Sequence, residues 1–468
     1  MYKLFIISLF IINVCFASDI FQLKTFNSTG PSVATLTWAK NWDLRKSTDV
    51  DDSDALIFSS VANRFLHPGR NVSDNSIYVI RRIASKLFYP FQDFDYELIT
   101  DQISWSNEQI FLPKFTPGFE LSFPSLVGIS GRFPTAPRFA FPSVPGKVYL
   151  INTTTLPGQI YNISPPETLC EWYYQDFELV DINGDNKLDI VAVRIRDDVC
   201  SPLKQVPPFP LKAEFVALIQ PEDLTVFPWS LQILYNFENI TNRGVVGFFK
   251  FVDIDSEIYG KTDHLVPELI YSEFFGKGSF IYYVNKNETW LTPGKTVKRS
   301  IIENTLGEMY DILVTDVNGD GKNDFLTTTH IINNTNGVYA YDILGDFRLQ
   351  DNLTTIRYPL ITNLPVYGRP ATSARYRAGS LSILEKKNSK KPLIVVGTDG
   401  GGQLLLLSPK NNNNKSWEFD NEVLIEFECD ILSALIYDIN HDGKKDISAP
   451  CLTRDAIFSF TTTINDKN

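Results

Sequence analysis

Three short acidic segments constrain the fold of this chain more than any other feature of its sequence. Each reads Asp-x-Asn-x-Asp-x-Lys-x-Asp between two apolar stretches, and the copies begin at Asp181, Asp316 and Asp438. Recurrence of one pattern at roughly regular spacing is the sequence signature of a repeat fold. The first aspartates lie 135 and 122 residues apart, about twice the length of one repeat unit. Weaker copies are therefore expected midway between the strong ones.

Such weaker copies are present. Residues 251–255 and 268–270 keep the strand–acid–strand order around a longer loop, and residues 382–385 and 392–395 keep it without the metal-type residues. Fainter matches lie at residues 57–64 and 126–132. Together these segments make about seven units of about 50–70 residues, near the size of a four-stranded blade.

Short strands dominate the predicted secondary structure. Runs rich in apolar and β-branched residues alternate with Gly, Pro, Asn and Asp, whereas long amphipathic helical patterns are scarce. The clearest strands are predicted at residues 177–180, 190–193, 312–314, 325–329, 393–397 and 403–407. The strands at Val33–Trp38 and Ala456–Thr461 are expected to share a blade, or to lie in touching blades, because ring closure removes exposed sheet edges.

The side chains of the acidic segments are those that bind a hard cation. Oxygens occupy positions one, three, five and nine, and the lysine at position seven can offer its backbone carbonyl. Ca²⁺ takes six to eight oxygen ligands in flexible geometry, which this spacing supplies from one tight loop. We therefore predict an all-β chain, a seven-bladed β-propeller with calcium-binding hairpin loops, with Ca²⁺ as a structural cofactor. The predicted ligands are Asp181, Asn183, Asp185, Lys187, Asp189, Asp316, Asn318, Asp320, Lys322, Asp324, Asp438, Asn440, Asp442, Lys444 and Asp446.

Two other interpretations of these segments are less favourable. An EF-hand requires a glutamate at position twelve and flanking helices, but position twelve is Ala192, Thr327 or Ala449 and the flanks are strand-like. A plain Asn-Gly or Asp-Gly hairpin turn with solvated acids is possible for one copy. Three copies with acids at positions one, five and nine favour a cation site instead.

The apolar–Asp-x-Asn-x-Asp-Gly-x-x-Asp–apolar unit resembles the FG-GAP/VCBS repeat of integrin α-subunit propellers and of many secreted propeller proteins, including some fungal lectins. The resemblance is strong in the three acidic segments and weak or faint in the other units, which together cover most of the chain. It implies a seven-bladed propeller with Ca²⁺ held in the hairpin between two strands of a blade. The Phe-Gly and Gly-Ala-Pro signatures of integrins are not clear, so the resemblance does not imply an integrin-like ligand face.

The first residues predict export. A short basic start, an apolar run over residues 4–16 and small residues before a cut after Ala17 are typical of a signal peptide, which leaves residues 18–468 as one propeller domain. No later segment predicts a transmembrane anchor. Nine Asn-x-Ser/Thr sequons suit a secreted glycoprotein, and they lie at Asn27, Asn71, Asn152, Asn162, Asn239, Asn287, Asn333, Asn352 and Asn414.

The cysteines agree with an oxidising compartment. Without the signal peptide four remain, and an even number in an exported chain predicts two disulfides with three possible connectivities. Pairing of Cys170 with Cys200 and of Cys429 with Cys451 is expected, because each pair brackets one acidic loop. The alternative is a bond from Cys170 or Cys200 to a C-terminal cysteine across the ring closure.

Charge and motif content limit the function. Acidic residues outnumber basic ones by 55 to 43, which argues against a nucleic-acid partner. The four histidines show no zinc spacing, and neither a Gly-x-Ser-x-Gly elbow nor a phosphate loop is present, so no catalytic residue is predicted. The expected function is a binding or adhesion module for an extracellular protein or carbohydrate ligand. The alternative is a lectin-like or polysaccharide-processing enzyme on the same scaffold, because fold alone does not decide between them.

Overall fold

The computed structural model describes the chain in segments, which comprise nearly all the predicted strands and the acidic loops. The described residues are 20–27, 33–40, 42, 53–60, 76–81, 83, 96–103, 106–130, 146–166, 172–196, 212–237, 246–258, 266–273, 278–329, 336–348, 353–362, 364, 377–385, 389–399, 402–411, 415–426, 431, 433–451 and 456–462. The predicted signal peptide, His67, His264 and His330 lie outside them. No described helix is long and apolar enough to cross a membrane.

The described residues form seven four-stranded antiparallel sheets, so the predicted seven-bladed propeller is confirmed. Blades 1 to 3 consist of β2 (Val33–Ala39), β3 (Ala55–Ser60), β4 (Ile77–Arg81), β5 (Tyr96–Thr100); β6 (Ser106–Leu112), β7 (Ser125–Ser130), β8 (Lys147–Asn152), β9 (Gln159–Asn162); and β10 (Tyr173–Val180), β11 (Asp189–Arg196), β12 (Lys212–Ile219), β13 (Ser230–Phe237).

Blades 4 to 6 follow the same order, and one short helix, α1 (Ile254–Glu257), lies in the first hairpin of blade 4. Their strands are β14 (Val246–Val252), β15 (Glu268–Glu273), β16 (Ser279–Tyr283), β17 (Lys298–Glu303); β18 (Met309–Thr315), β19 (Asp324–Thr329), β20 (Gly337–Ile343), β21 (Thr355–Thr362); and β22 (Arg377–Leu384), β23 (Leu393–Asp399), β24 (Gln403–Pro409), β25 (Phe419–Glu426).

Blade 7 is built from both ends of the chain. It consists of β26 (Leu435–Tyr437), β27 (Asp446–Cys451), β28 (Ala456–Thr462) and, outermost, β1 (Ile20–Asn27), which pairs with β28. Strand β2 contacts β26 and β27, so blades 1 and 7 touch as expected. The predicted strand nearest the start of the chain was Val33–Trp38. Strand β1, which completes the blade and covers the edge of β28, was not predicted.

The cores lie between the blades. Neighbouring residues of one strand enter different cores, since Ile190 packs with blade 2 residues and Val191 with blade 4 residues. Both faces of each sheet are therefore covered, which explains the continuous apolar runs in the second and third strands. Trp38, Trp42, Trp229 and Trp290 lie in cores that two adjacent blades share, and Trp172 is also buried. Trp417 is half-buried and stacks on Tyr358 at 4.2 Å between ring centroids.

Several sequence predictions concern modification. Cys451 is buried and disulfide-bonded, but Cys170, Cys200 and Cys429 lie outside the described residues, so both pairings stay predictions. Among the sequons, Asn162 and Asn287 are exposed. Glycosylation at these positions stays a prediction.

Candidate metal centres

The three acidic segments occupy equivalent places in the propeller. Each is the hairpin between the first and second strands of its blade: β10–β11 in blade 3, β18–β19 in blade 5 and β26–β27 in blade 7. First strands of successive blades contact one another around the centre of the ring. The second strand begins at the position-nine aspartate, which pairs in register with the last residue of the first strand. The three acidic hairpins are therefore structurally equivalent and lie on the same face of the ring.

The position-one aspartate folds each loop around its own carboxylate. In blade 3, Asp181 Oδ1 accepts the amides of Gly184 and Asp185 at 2.6 and 3.0 Å, and Oδ2 accepts the amide of Asn186 at 2.7 Å. Asp316 accepts all three corresponding amides, and Asp438 accepts two of them, from Asp442 and Gly443. The same sequence pattern therefore produces the same local structure three times.

Positions four and six adopt left-handed backbone conformations. Position four is Gly184, Gly319 or His441, with φ of 79°, 77° and 58°, and position six has φ of 65°, 87° and 80°. Glycine adopts this region freely, and Asn and His are among the side chains that tolerate it best. His441 and Asn186, where two copies depart from glycine, are thus compatible with the loop.

The position-nine aspartates are deeply buried. Asp189, Asp324 and Asp446 are at most 2% exposed. Asp446 Oδ2 accepts the amide of Ile439 at 2.9 Å, whereas Oδ1, although buried, has no hydrogen-bond partner among the described residues. Asp189 Oδ1 accepts the amide of Gln220 at 2.8 Å, and its Oδ2 is likewise without a described partner. A buried carboxylate oxygen without a donor is costly, and a cation would remove that cost.

Burial and like charge perturb these groups. Burial, with the neighbouring acids Asp185 and Asp181, raises the pKa of Asp189 to about 6. The same causes raise the pKa of Asp446 to about 7 and that of Asp324 to about 8. Each loop is thus poorly suited to keep all its carboxylates ionised without a positive partner.

Blade 4 carries a divergent version of the hairpin. Asp253 Oδ1 accepts the Ser256 amide at 2.9 Å and caps helix α1. Glu268 takes the place of the position-nine aspartate, because it pairs in register with Val252, the last residue of β14. Glu268 Oε2 accepts the Ile254 amide at 3.0 Å, as Asp324 and Asp446 accept the amide at position two. Its Oε1 pairs with the Arg348 guanidinium of blade 5. An arginine thus neutralises the carboxylate here.

The remaining donor groups of the three loops fit a hard cation. Carboxylate, amide and carbonyl oxygens are gathered at one turn. In blade 3 the Lys187 side chain pairs with Glu222 at 2.7 Å, outside the loop, whereas in blade 7 Lys444 Nζ lies 3.6 Å from Asp442 Oδ2 within it. Asp181, Asp185 and their counterparts are half-buried or exposed at the turn. Among the described residues no group of three or more His, Cys, Asp or Glu side chains forms a metal site by itself. Asn and backbone ligands at positions three and seven would therefore be needed.

A second group of acids, not predicted from the sequence, lies on the first strands of blades 2, 3 and 5. Asp176 and Asp311 are buried, and each spans two blades: Asp176 accepts the Phe177 and Phe249 amides at 2.8 and 3.0 Å, and Asp311 accepts those of Ile312 and Leu381 at 2.8 Å. The sequence signal was an aspartate five residues before the loop, in two copies of three. These two carboxylates therefore link adjacent blades through hydrogen bonds.

Lys250 of blade 4 is the cation of this inner group. Burial alone would lower its pKa, but Asp176, Glu108, Glu178 and Asp311 raise it overall. Burial raises the pKa of Glu178 to about 7, and that of Asp311 to about 6. Burial and the neighbouring Glu108 hold the pKa of Asp176 well above its usual range. The carboxylates of the inner group are therefore stabilised by backbone amides and by Lys250 in place of water.

Comparison with known proteins adds little to these observations. No protein-family model matches the sequence, and no curated protein matches it. Among solved structures, the crystal structure of a protein from Lactobacillus plantarum is similar over 88% of this chain and 96% of that chain, with a TM-score of 0.45 and 8% sequence identity. Similarity at this level does not speak to function. Membership of the FG-GAP/VCBS family stays a prediction.

Proposed function

We propose that this chain is a secreted, calcium-stabilised β-propeller that acts as a binding or adhesion module for an extracellular protein or glycan. The observation that carries the calcium part is the buried position-nine carboxylate, present three times, with an oxygen that has no described hydrogen-bond partner in blades 3 and 7. Asp181, Asn183, Asp185, the Lys187 carbonyl and Asp189 would hold the ion in blade 3. The equivalent residues would hold it in blades 5 and 7.

Calcium in these loops would act on stability. An ion bound to the folded state alone stabilises it by about 2.7 kcal/mol when free calcium is a hundred times Kd. Extracellular sites commonly have Kd values of about 10⁻⁴ to 10⁻³ M, so millimolar calcium is the relevant range. The ion would cancel repulsion among the three carboxylates of each loop, which fixes the hairpins at one face of the ring.

Chelation of the purified full-length chain tests this proposal. We expect the melting temperature to fall in excess chelator and to recover with calcium but much less with magnesium, which prefers fewer protein ligands and more water. A melting curve that is identical in calcium and in chelator would contradict the proposal. A glycan array probed with and without calcium would then identify a carbohydrate ligand if one is bound.

One observation favours the alternative of a polysaccharide-processing enzyme. Acids with raised pKa values converge on the first strands, as general acid catalysis requires. However, both oxygens of Asp176 and of Asp311 accept backbone amides from adjacent blades, which supports a role in joining the blades. Release of reducing sugar from a panel of polysaccharides by the purified chain would favour the enzyme.

A further inference from the structure

The three acidic loops differ in what the next blade places against position four. In blade 5, a Cβ built on Gly319 would lie 2.9 Å from Lys391 Cγ and 3.4 Å from Lys391 Cε. In blade 3, nothing lies within 4 Å of the same point on Gly184. In blade 7, His441 occupies position four, and its Nε2 lies 3.4 Å from Asp54 Oδ2 of blade 1. Position four is therefore next to Lys391 in blade 5 and next to Asp54 in blade 7, and has no neighbour within 4 Å in blade 3.

Lys391 is fixed in this place by its own blade. The residue is 2% exposed, and its Nζ donates hydrogen bonds to the carbonyls of Asn411 and Ser416 at 3.1 and 2.8 Å. Lys415 of blade 6 also contacts the blade 5 loop directly, because its amide donates to the Asn318 carbonyl at 3.1 Å. Burial and these two hydrogen bonds hold the ammonium group away from solvent.

The position-one carboxylate, Asp316, acts electrostatically on this lysine. Burial lowers the pKa of Lys391, and the carboxylate of Asp316 acts in the opposite direction. Asp316 and Lys391 border the same cleft, of about 150 Å³, between the two hairpins. Blade 6 itself has leucines, Leu384 and Leu393, where blade 5 has Thr315 and the position-nine aspartate Asp324. Blade 6, which has no acidic loop of its own, thus places the positive charge of Lys391 next to the acidic loop of blade 5.

We propose that Lys391 is an affinity-setting residue that makes the blade 5 loop the weakest of the three calcium sites and links its occupancy to the contact between blades 5 and 6. This inference rests on the proposed function. A fixed ammonium near Asp316 repels the incoming cation, and blade 3 has no such group at position four. Asp54 places a negative charge at the corresponding point of blade 7. The Lys444 ammonium lies 3.6 Å from Asp442 Oδ2 in that loop, but its side chain is 33% exposed and its charge is screened by solvent, so the blade 7 site should bind more tightly than blade 5. The three sites therefore fill in order as calcium rises.

Calorimetric calcium titration of the chelator-stripped full-length chain tests the inference. Asp316→Ala should remove the weakest binding event. Lys391→Met, which keeps the length of the side chain, and Lys391→Gln, which keeps a donor, should both tighten that event by roughly three- to tenfold. Lys391→Arg keeps the charge and should change the affinity by less than about twofold. Lys410→Met is the matched control. Lys410 lies in the same blade, its side chain is exposed, and its Nζ is 3.7 Å from Asp420 Oδ1.

The outcomes separate this inference from the proposed function. Absence of calcium binding to the wild-type chain contradicts the proposed function and the inference with it. Three binding events that are unchanged in Lys391→Met and Lys391→Gln, or loss of a tighter event in Asp316→Ala, contradict the inference alone. If the lysine variants do not fold, salt titration of the wild type decides: screening of Lys391 predicts that added salt weakens the Asp316-dependent event less than the other two. An equal decline overturns the inference.

Discussion

Blades 4 and 7 each bury an acidic side chain at the equivalent position, but the two carboxylates have different partners. In each, an acid at the start of the second strand accepts the amide of the second loop residue, Ile254 or Ile439. In blade 4 the other oxygen of Glu268 pairs with Arg348, whereas in blade 7 the other oxygen of Asp446 has no described partner. A buried carboxylate can therefore be neutralised by a side chain of the protein, as Arg348 neutralises Glu268, or by an ion that binds from solution. Only the second solution makes stability depend on the medium.

Removing the built-in cation should have the largest effect. Arg348→Met leaves the carboxylate of Glu268, which is 1% exposed as a residue, without its ion-pair partner. Loss of one partner of a buried pair costs about 3–5 kcal/mol. We expect this decrease in the free energy of unfolding, measured by urea titration, in calcium and in chelator alike. Lys keeps the charge, so Arg348→Lys should lose less. A decrease that appears only in calcium would contradict the comparison.

Asp446→Asn should have opposite effects in the two media. Its side-chain oxygen can still accept the Ile439 amide, and an amide nitrogen replaces the carboxylate oxygen that has no described partner. In calcium we expect a loss of about 2–3 kcal/mol, because the ion loses a charged ligand. In chelator at neutral pH we expect no loss or a small gain, because a buried charge is removed.

The control for Asp446→Asn is Asp420→Asn, an exposed acid outside the loops. It should change stability by less than about 0.5 kcal/mol in either medium. If Asp446→Asn destabilises the chain equally with and without calcium, the aspartate serves the hairpin and not the ion.

The pH dependence of stability should also depend on calcium. The raised pKa values of Asp189, Asp446 and Asp324, about 6, 7 and 8, mean that the folded state holds these protons more tightly than the unfolded state. Their contribution is fully present below the unfolded pKa near 4 and is lost as pH rises through about 6 to 8. In chelator we expect stability to fall by several kcal/mol between about pH 4 and about pH 8, since one pKa unit corresponds to about 1.4 kcal/mol.

Calcium should remove most of this decline, because the ion holds the loop carboxylates ionised. A residual decline is expected from Glu178 and Asp311, whose pKa values of about 7 and about 6 arise from burial at the ring centre. Melting temperatures from about pH 5 to about pH 8, in both media, provide the measurement. Identical pH profiles would show that the loop carboxylates do not sense calcium.

The sequence predicted the features that are local along the chain. The acidic hairpins follow from spacing alone, since each loop is closed by amides within five residues of its first aspartate. The partners that distinguish one blade from another could not be predicted in this way. Arg348 reaches Glu268 from the next blade, and Lys391 reaches Gly319 likewise. Such contacts depend on the ring geometry that sets neighbouring hairpins side by side.

Strand β1 was missed for a related reason. Its register with β28 joins Ile20 to Thr462 and Asn27 to Ala456, so the partner that makes Ile20–Asn27 a strand lies almost the whole chain away. A segment with no local partner gives little pattern of its own. The expected contact between the terminal blades was nevertheless confirmed, because closure of the ring is a requirement of the fold.

The pairing of β1 with β28 also has a consequence for the order of events during synthesis. Of the described strands, the one that leaves the ribosome first is the one whose partner is made last. Six sheets can form in sequence as translation proceeds, whereas the seventh must wait with its outer strand already made and its backbone groups still unpaired. Long-range pairing of this kind slows folding and exposes a strand to aggregation in the interval. We therefore expect the pairing of β1 with β28 to be the last step of folding.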